Sequence, residues 1–272
     1  MIFTMTIEYF EEHLREYAQL MRLHRPIGIY LLLWPTLWAL WLAGNGQPPR
    51  GIVLIFVVGV ALMRSAGCVI NDIADRDFDP KVARTRDRPL AAGRVSLSEV
   101  VGLAAVLCLL AFALVLTQNA LTVQLSFVGL ALAISYPFMK RIHSLPQINL
   151  GMAFGWAIPM AYAAVTHSVP PIAWLLFLIN VLWSVIYDTQ YAMVDREYDR
   201  KIGVKSTAIL FGERDKHIVG YLQLILLGLL ILVGLLTDRG WIYYLGLLVA
   251  AGFALHQQYL IRDRKPNRCF KA

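Results

Sequence analysis

The feature that most restricts this chain is a series of eight apolar stretches, at about 27–43, 52–70, 100–116, 120–138, 148–165, 171–187, 217–236 and 241–260. Each is about the length an α-helix needs to cross a hydrocarbon core of ~30 Å, where every backbone polar group must be paired within the protein. The expected fold is therefore all-α: a polytopic transmembrane helical bundle of eight spans, forming a single domain over 1–272. A hydrophobic share of 58% and a mean hydropathy of +0.59 exclude an ordinary soluble domain. Pro35, Gly155 and Pro159 fall inside spans, which membrane bundles tolerate. Ser96 and Glu99 have the spacing of a capping box and are expected to start the third span.

Residues 1–24 read differently. Ile7, Phe10, Leu14, Tyr17 and Met21 recur at three- and four-residue intervals, predicting an amphipathic helix lying along the cytoplasmic membrane surface. The acidic start (Glu8, Glu11, Glu12) lacks the apolar core of a secretory signal. Cys68 and Cys108 sit in apolar runs and Cys269 in the tail, so no disulfide framework or metal-ligand spacing is visible.

The charges give the orientation. Of the 25 Lys and Arg residues, all but Arg50, Arg239 and the intramembrane Arg64 fall on one set of connections: before the first span, in 71–99, at 140–141, in 188–216 and in the tail. The positive-inside rule makes that side cytoplasmic. The net charge of +7 then reflects topology and phosphate binding, and no nucleic-acid role is expected.

On that basic side lie two acidic motifs. Asn71, Asp75 and Asp79 stand at i, i+4 and i+8, so a helix would align them on one face, with Arg64 near it. Asp188, Asp195 and Asp199 stand at i, i+7 and i+11 and make a second stripe. Asp75 and Asp195 occupy equivalent places in two pseudo-repeated halves, about 27–140 and 148–262, expected to face each other across a central cavity. Carboxylates at a membrane boundary are costly unless paired or metal-bound. Mg²⁺ binds through one or two carboxylates plus phosphate oxygens and keeps some waters. Asp75, Asp79, Asp195 and Asp199, with Asn71 adding an amide oxygen, are therefore the candidate metal-binding and catalytic residues. Asp77 and Glu197 fall off the stripes and are expected to be solvated. Arg84, Arg86, Arg88, Lys140, Arg141, Lys201 and Lys205 follow the acidic motifs or end the fourth span, and suit a diphosphate leaving group. No nucleophile–base triad or Gly-rich phosphate loop is present, and the six histidines form no ligand pair.

The Asn-Asp-x-x-Asp-x-x-x-Asp run over 71–79, Arg84-Thr85-x-x-Arg88-Pro89, and Asp188 through Asp195 leading into Lys201-Ile-Gly-Val-Lys205-Ser206-Thr207 resemble the UbiA family of intramembrane prenyltransferases. Arg25-Pro26-Ile27-Gly28, the Leu-Leu-Leu-Trp34-Pro35-Thr36-Leu-Trp38 run and Tyr136-Pro-Phe-Met-Lys140-Arg141 resemble its bacterial branch with 4-hydroxybenzoate as acceptor. The resemblance implies a bundle around a central active-site cavity, dependence on Mg²⁺, a polyprenyl diphosphate donor, and a multi-pass place in the bacterial inner membrane. It carries the two acidic pairs over to Asp75 and Asp79 and to Asp195 and Asp199. Arg141 matches a basic position proposed for substrate binding in that family, and with it Arg25, Arg64, Arg84, Arg88, Lys140, Asp188, Lys201 and Lys205 are the candidate substrate-binding residues, with Arg25 or Arg141 on the acceptor carboxylate. The lipid bilayer is an expected partner, and no obligate protein partner is implied. Family members usually have nine spans, so the chain reads as stopping before the last. Rival readings are the same enzyme type with a naphthoate, homogentisate or haem acceptor, a CDP-alcohol phosphotransferase whose Asp-Gly-x-x-Ala-Arg element is absent here, and a divalent-cation transporter.

Overall fold

A computed structural model describes residues 13–82 and 85–272, and the elements that it describes are helical. Residues 13–20 form α1. The chain continues through α2 (Ile27–Ala43), α3 (Arg50–Asp75), α4 (Leu97–Val115), α5 (Ala120–Ile142), α6 (Pro146–Gly155), α7 (Ala157–Thr166) and α8 (Pro171–Ile202). It ends with the short α9 (Thr207–Phe211), then α10 (Asp215–Leu236), α11 (Trp241–Ile261) and the short α12 (Pro266–Cys269). Seven helical segments among the described residues are long and apolar enough to cross a bilayer, with α6 and α7 counted as one and α9 joined to α10. The 17-residue α2 is the eighth apolar helix. All eight expected stretches are thus helical, and the chain is a multi-pass membrane protein.

Two expected helices are interrupted, both beside a proline. The fifth span breaks at Trp156 because Pro159 has no N–H for the Gly155 carbonyl and its ring crowds that carbonyl. The Trp156 indole crosses to α5 and donates to the Leu125 carbonyl at 2.8 Å, packing over Gly129, where a Cβ would lie 3.0 Å from the ring. The first acidic stripe is not one helix either. α3 ends at Asp75, residues 76–78 turn, and Asp79 opens a 3₁₀ turn over Asp79–Lys81. Pro80 disfavours helical backbone at Asp79 and denies the Arg76 carbonyl its donor. Ser96 does cap α4, with both halves of the capping box formed.

Three buried clusters hold the bundle together. One joins α2, α3, α7, α8 and α10 through Leu40, Phe56, Ile158, Ile179 and Val233. A second packs Tyr17, Leu20 and Met21 of the first helical segment and its end against Val69 of α3 and Val100 and Leu107 of α4, so this part of the apolar face is covered by protein. Ile7 and Phe10 lie outside the described residues. The third ties Ile186 and Met193 of α8 to Val219, Ile261 and Cys269. α8 is 32 residues long, about 48 Å at 1.5 Å per residue. That exceeds a hydrocarbon core of ~30 Å, so its acidic last turns extend into the interface.

Candidate active site

The site is built where α3 and α5 end side by side. Two turns before the α3 terminus, the Tyr136 hydroxyl of α5 donates to the Gly67 carbonyl at 3.3 Å. One turn further along α5, the Lys140 Nζ lies 2.5 Å from Asp75 Oδ2, and Arg141 Nη2 lies 3.4 Å from Asp75 Oδ1. Asn71 Nδ2 also donates to Asp75, at 3.3 Å. Arg141 donates to the Ala74 carbonyl as well and lies 4.7 Å from the centre of the Phe78 ring. It thereby covers the open carbonyl end of α3, where a cation is favoured.

The other half of the network centres on Arg88. Its Nη1 reaches Asp79 Oδ2 at 2.7 Å and Asp72 Oδ1 at 3.1 Å, and Arg22 Nη2 meets the same Asp72 oxygen at 2.5 Å. Asp72, Asp75 and Asp79 are all buried, at 2%, 6% and 5% exposure, so each is neutralised where water cannot screen it. Burial opposes the charge on Arg22, but the neighbouring acids, Asp72 above all and Asp79 with it, hold the guanidinium above its ordinary pKa. The buried Thr85 hydroxyl donates to the Asp79 carbonyl at 3.0 Å and fixes the loop carrying Arg88. Spacing alone missed Asp72 and Arg22. Asp72 lies off the stripe, and Arg22 lies in a turn 50 residues away, with no local signal linking them.

The second stripe stays on one continuous helix. Asp188, Asp195 and Asp199 are all partly buried on α8, and a Gln147 side chain from α6 hydrogen-bonds Asp188. Gln147 also accepts from the Thr207 backbone at 3.1 Å, and Thr207 shares a 2.6 Å hydroxyl contact with Thr189. The ends of the halves meet: the Tyr198 hydroxyl lies 3.4 Å from the Lys81 carbonyl, and Lys205 N donates to the Lys140 carbonyl at 3.0 Å. Lys205 Nζ binds the Ile142 carbonyl at 2.9 Å, and Lys201 is exposed. Arg25 is exposed ahead of α2, and Arg84 lies outside the described residues. Asp77 and Glu197 are exposed as expected, Glu197 by its register on α8 but Asp77 because it lies in the turn after α3.

Among the described residues, no three Asp, Glu, His or Cys side chains converge on one point. That rules against a closed protein cage among them.

Below this polar rim lies an apolar cavity of about 310 Å³ between α3, α4, α5 and the broken α6–α7 span. Leu109 and Phe112 of α4 and Phe127 of α5 line it, and Arg64, Gly67 and Tyr136 stand in its wall. Arg64 is the unusual member. Its Nη1 touches Cys68 Sγ, its Nε is buried without a hydrogen-bond partner, and no carboxylate pairs with it among the described residues. The guanidinium occupies the space above Gly28, where a Cβ would stand 2.3 Å from Nη2. A cation in this position needs an anion, and a ligand can supply one.

The fold and site define a polytopic membrane protein suited to an apolar chain with a polyanionic head. Residues 32–272 match the model of the UbiA prenyltransferase family, and the chain belongs to that family. A 4-hydroxybenzoate octaprenyltransferase of Alkalilimnicola ehrlichii is 58% identical over 268 residues, covering 98% of this chain and 92% of that relative. The apo structure of a UbiA homolog from Aeropyrum pernix K1 superposes with a TM-score of 0.79 at 27% identity, covering 90% of this chain and 91% of that one. A UbiA homolog from Archaeoglobus fulgidus, bound to GPP and Mg²⁺, gives 0.71 at 19% identity, covering 92% and 88%, a likeness of fold alone.

Proposed function

We propose that this chain transfers the polyprenyl group of a polyprenyl diphosphate to the ring carbon ortho to the phenol of 4-hydroxybenzoate, giving 3-polyprenyl-4-hydroxybenzoate for ubiquinone biosynthesis. The observation that carries this reading is the junction at Arg64, where a guanidinium without a carboxylate partner among the described residues meets an apolar cavity on one side and a cation-rich acidic rim on the other. The name of the Alkalilimnicola relative supports the same acceptor.

Arg88, Lys140 and Arg141 bind the donor's diphosphate, exchanging contacts to Asp79 and Asp75 for contacts to phosphate oxygens. Asn71, Asp75 and Asp79 from one half, and Asp195 and Asp199 from the other, would hold Mg²⁺. The bound ion would neutralise charge developing on the diphosphate. The prenyl chain lies in the apolar cavity, and Arg64 takes the acceptor's carboxylate. The allylic C–O bond breaks with its electron pair leaving on the diphosphate, the ring carbon forms the new C–C bond to the allylic cation, and the ring proton passes to the released diphosphate, which restores aromaticity. Arg141 is committed to the end of α3, so it serves the donor side in this reading and Arg64 replaces it at the acceptor. Orientation follows the charge distribution, with the amino terminus and both acidic motifs facing the cytoplasm of a bacterial inner membrane.

The test is incubation of membranes containing the protein with Mg²⁺, 4-hydroxybenzoate and polyprenyl diphosphates of several lengths, with products identified by mass. Prenylated 4-hydroxybenzoate is the expected product. Product from a naphthoate or homogentisate but none from 4-hydroxybenzoate would overturn the acceptor assignment.

A further inference from the structure

Asp72 is the most deeply buried carboxylate of the first acidic motif, yet it lies off the metal stripe. One of its oxygens serves two guanidiniums from distant segments: Arg22, between α1 and α2, and Arg88, in the loop before α4. Arg88 Nη1 in turn bridges Asp72 and Asp79. Arg22 is one of the non-glycine residues with positive φ, at 56°, a backbone state that L-residues occupy only when their surroundings impose it.

We infer that Asp72 is a positioning residue for Arg88. It holds that guanidinium at the donor's diphosphate when Asp79 turns from Arg88 to a metal ion, and Arg22 keeps the buried Asp72 charge balanced. This rests on the proposed diphosphate site and assigns a carboxylate that the metal stripes leave without a role.

The charge balance requires such an anchor. In the structure Asp72 and Asp79 face Arg22 and Arg88, two charges of each sign. If Asp79 engages a cation, Arg88 loses its closer partner. A long arginine side chain would then swing among many rotamers and lose most of its value as a preorganised phosphate donor. Asp72 cannot follow Asp79, because it sits within α3 and is pinned by Arg22. It therefore retains one N–H of Arg88 and leaves the rest of the fork for phosphate oxygens. Supporting contacts of this kind typically alter ligand affinity by about 10- to 100-fold when removed.

The test is equilibrium binding of geranyl S-thiolodiphosphate, a donor analogue resistant to ionisation, to the full chain in detergent with Mg²⁺. Wild type, Asp72→Asn, Arg88→Gln and the double variant are compared, alongside donor and acceptor KM values. Asp72→Asn should weaken analogue binding about tenfold or more and raise the donor KM, leaving the acceptor KM within about twofold. Added to Arg88→Gln, it should cause little further loss, since Asp72 acts through Arg88. Additive losses, or equal movement of both KM values, would overturn the assignment. If Asp72→Asn does not fold, Asp72→Asn with Arg22→Gln removes the buried pair together and should show the same donor-specific loss. Wild type that binds no analogue would instead refute the diphosphate site itself.

Discussion

The two acidic motifs read alike in sequence, but the structure treats them differently. In the first, Asp72, Asp75 and Asp79 are buried, and four bases from three other segments hold them: Arg22, Arg88, and Lys140 with Arg141. In the second, Asp188, Asp195 and Asp199 run along one continuous helix and are only partly buried. Of the bases that flank it in sequence, Arg196 pairs with Asp215, Arg200 and Lys201 are exposed, and Lys205 binds the Ile142 carbonyl. The first motif is thus a cradle in which bases from other segments meet the acids, and the second a wall of carboxylates along one helix face. A diphosphate with bound metal needs both, since carboxylates alone would repel it and bases alone would not recruit the ion.

The comparison breaks first at the stripes. Asp75→Asn, Asp79→Asn, Asp195→Asn and Asp199→Asn, assayed at equal membrane expression, should each lower turnover by roughly 10²- to 10⁴-fold. If only the first pair were sensitive, the α8 wall would have no part in the chemistry. EDTA should abolish transfer and Mg²⁺ restore it, in the same product assay, because Asp75 and Asp79 need a metal ion once Lys140, Arg141 and Arg88 turn from them to phosphate oxygens. Full turnover in chelator would remove the metal from both motifs.

Arg64 sharpens the comparison on the acceptor side. Arg64→Gln should raise the 4-hydroxybenzoate KM by about 10- to 100-fold, while Arg141→Ala should act mainly on the donor. The reverse pattern in steady-state kinetics would return the acceptor carboxylate to Arg141. Gly151→Ala tests the support of the second motif, because its Cβ would stand 2.9 Å from the Val181 Cα of α8. Forcing α6 from α8 should cost about 1–3 kcal/mol of stability, read by thermal unfolding in detergent. The smallest effects belong to the exposed acids. Asp77→Asn and Glu197→Gln should keep activity within about twofold, and a loss matching Asp75→Asn would undo the distinction drawn from register.

By itself the sequence determined the membrane bundle, because runs of 17 or more apolar residues have no other stable outcome than helices that pair their own backbone groups. It also set the register of the second acidic motif: the spacing of Asp188, Asp195 and Asp199 gives one face of α8. The tertiary structure alone decided which charges meet. Arg22 reaches Asp72 across 50 residues and Lys140 reaches Asp75 across 65, and such pairings leave no local periodicity. It also decided that α3 ends at Asp75 and leaves Asp79 in a separate turn, that Arg141 serves the end of α3, and that Arg64 has no carboxylate partner among the described residues. Apolar patterning is set by the solvent, and the bilayer imposes it on every span alike. Ion pairing in a buried site depends on which helix ends the packing brings together, and only the folded chain fixes that.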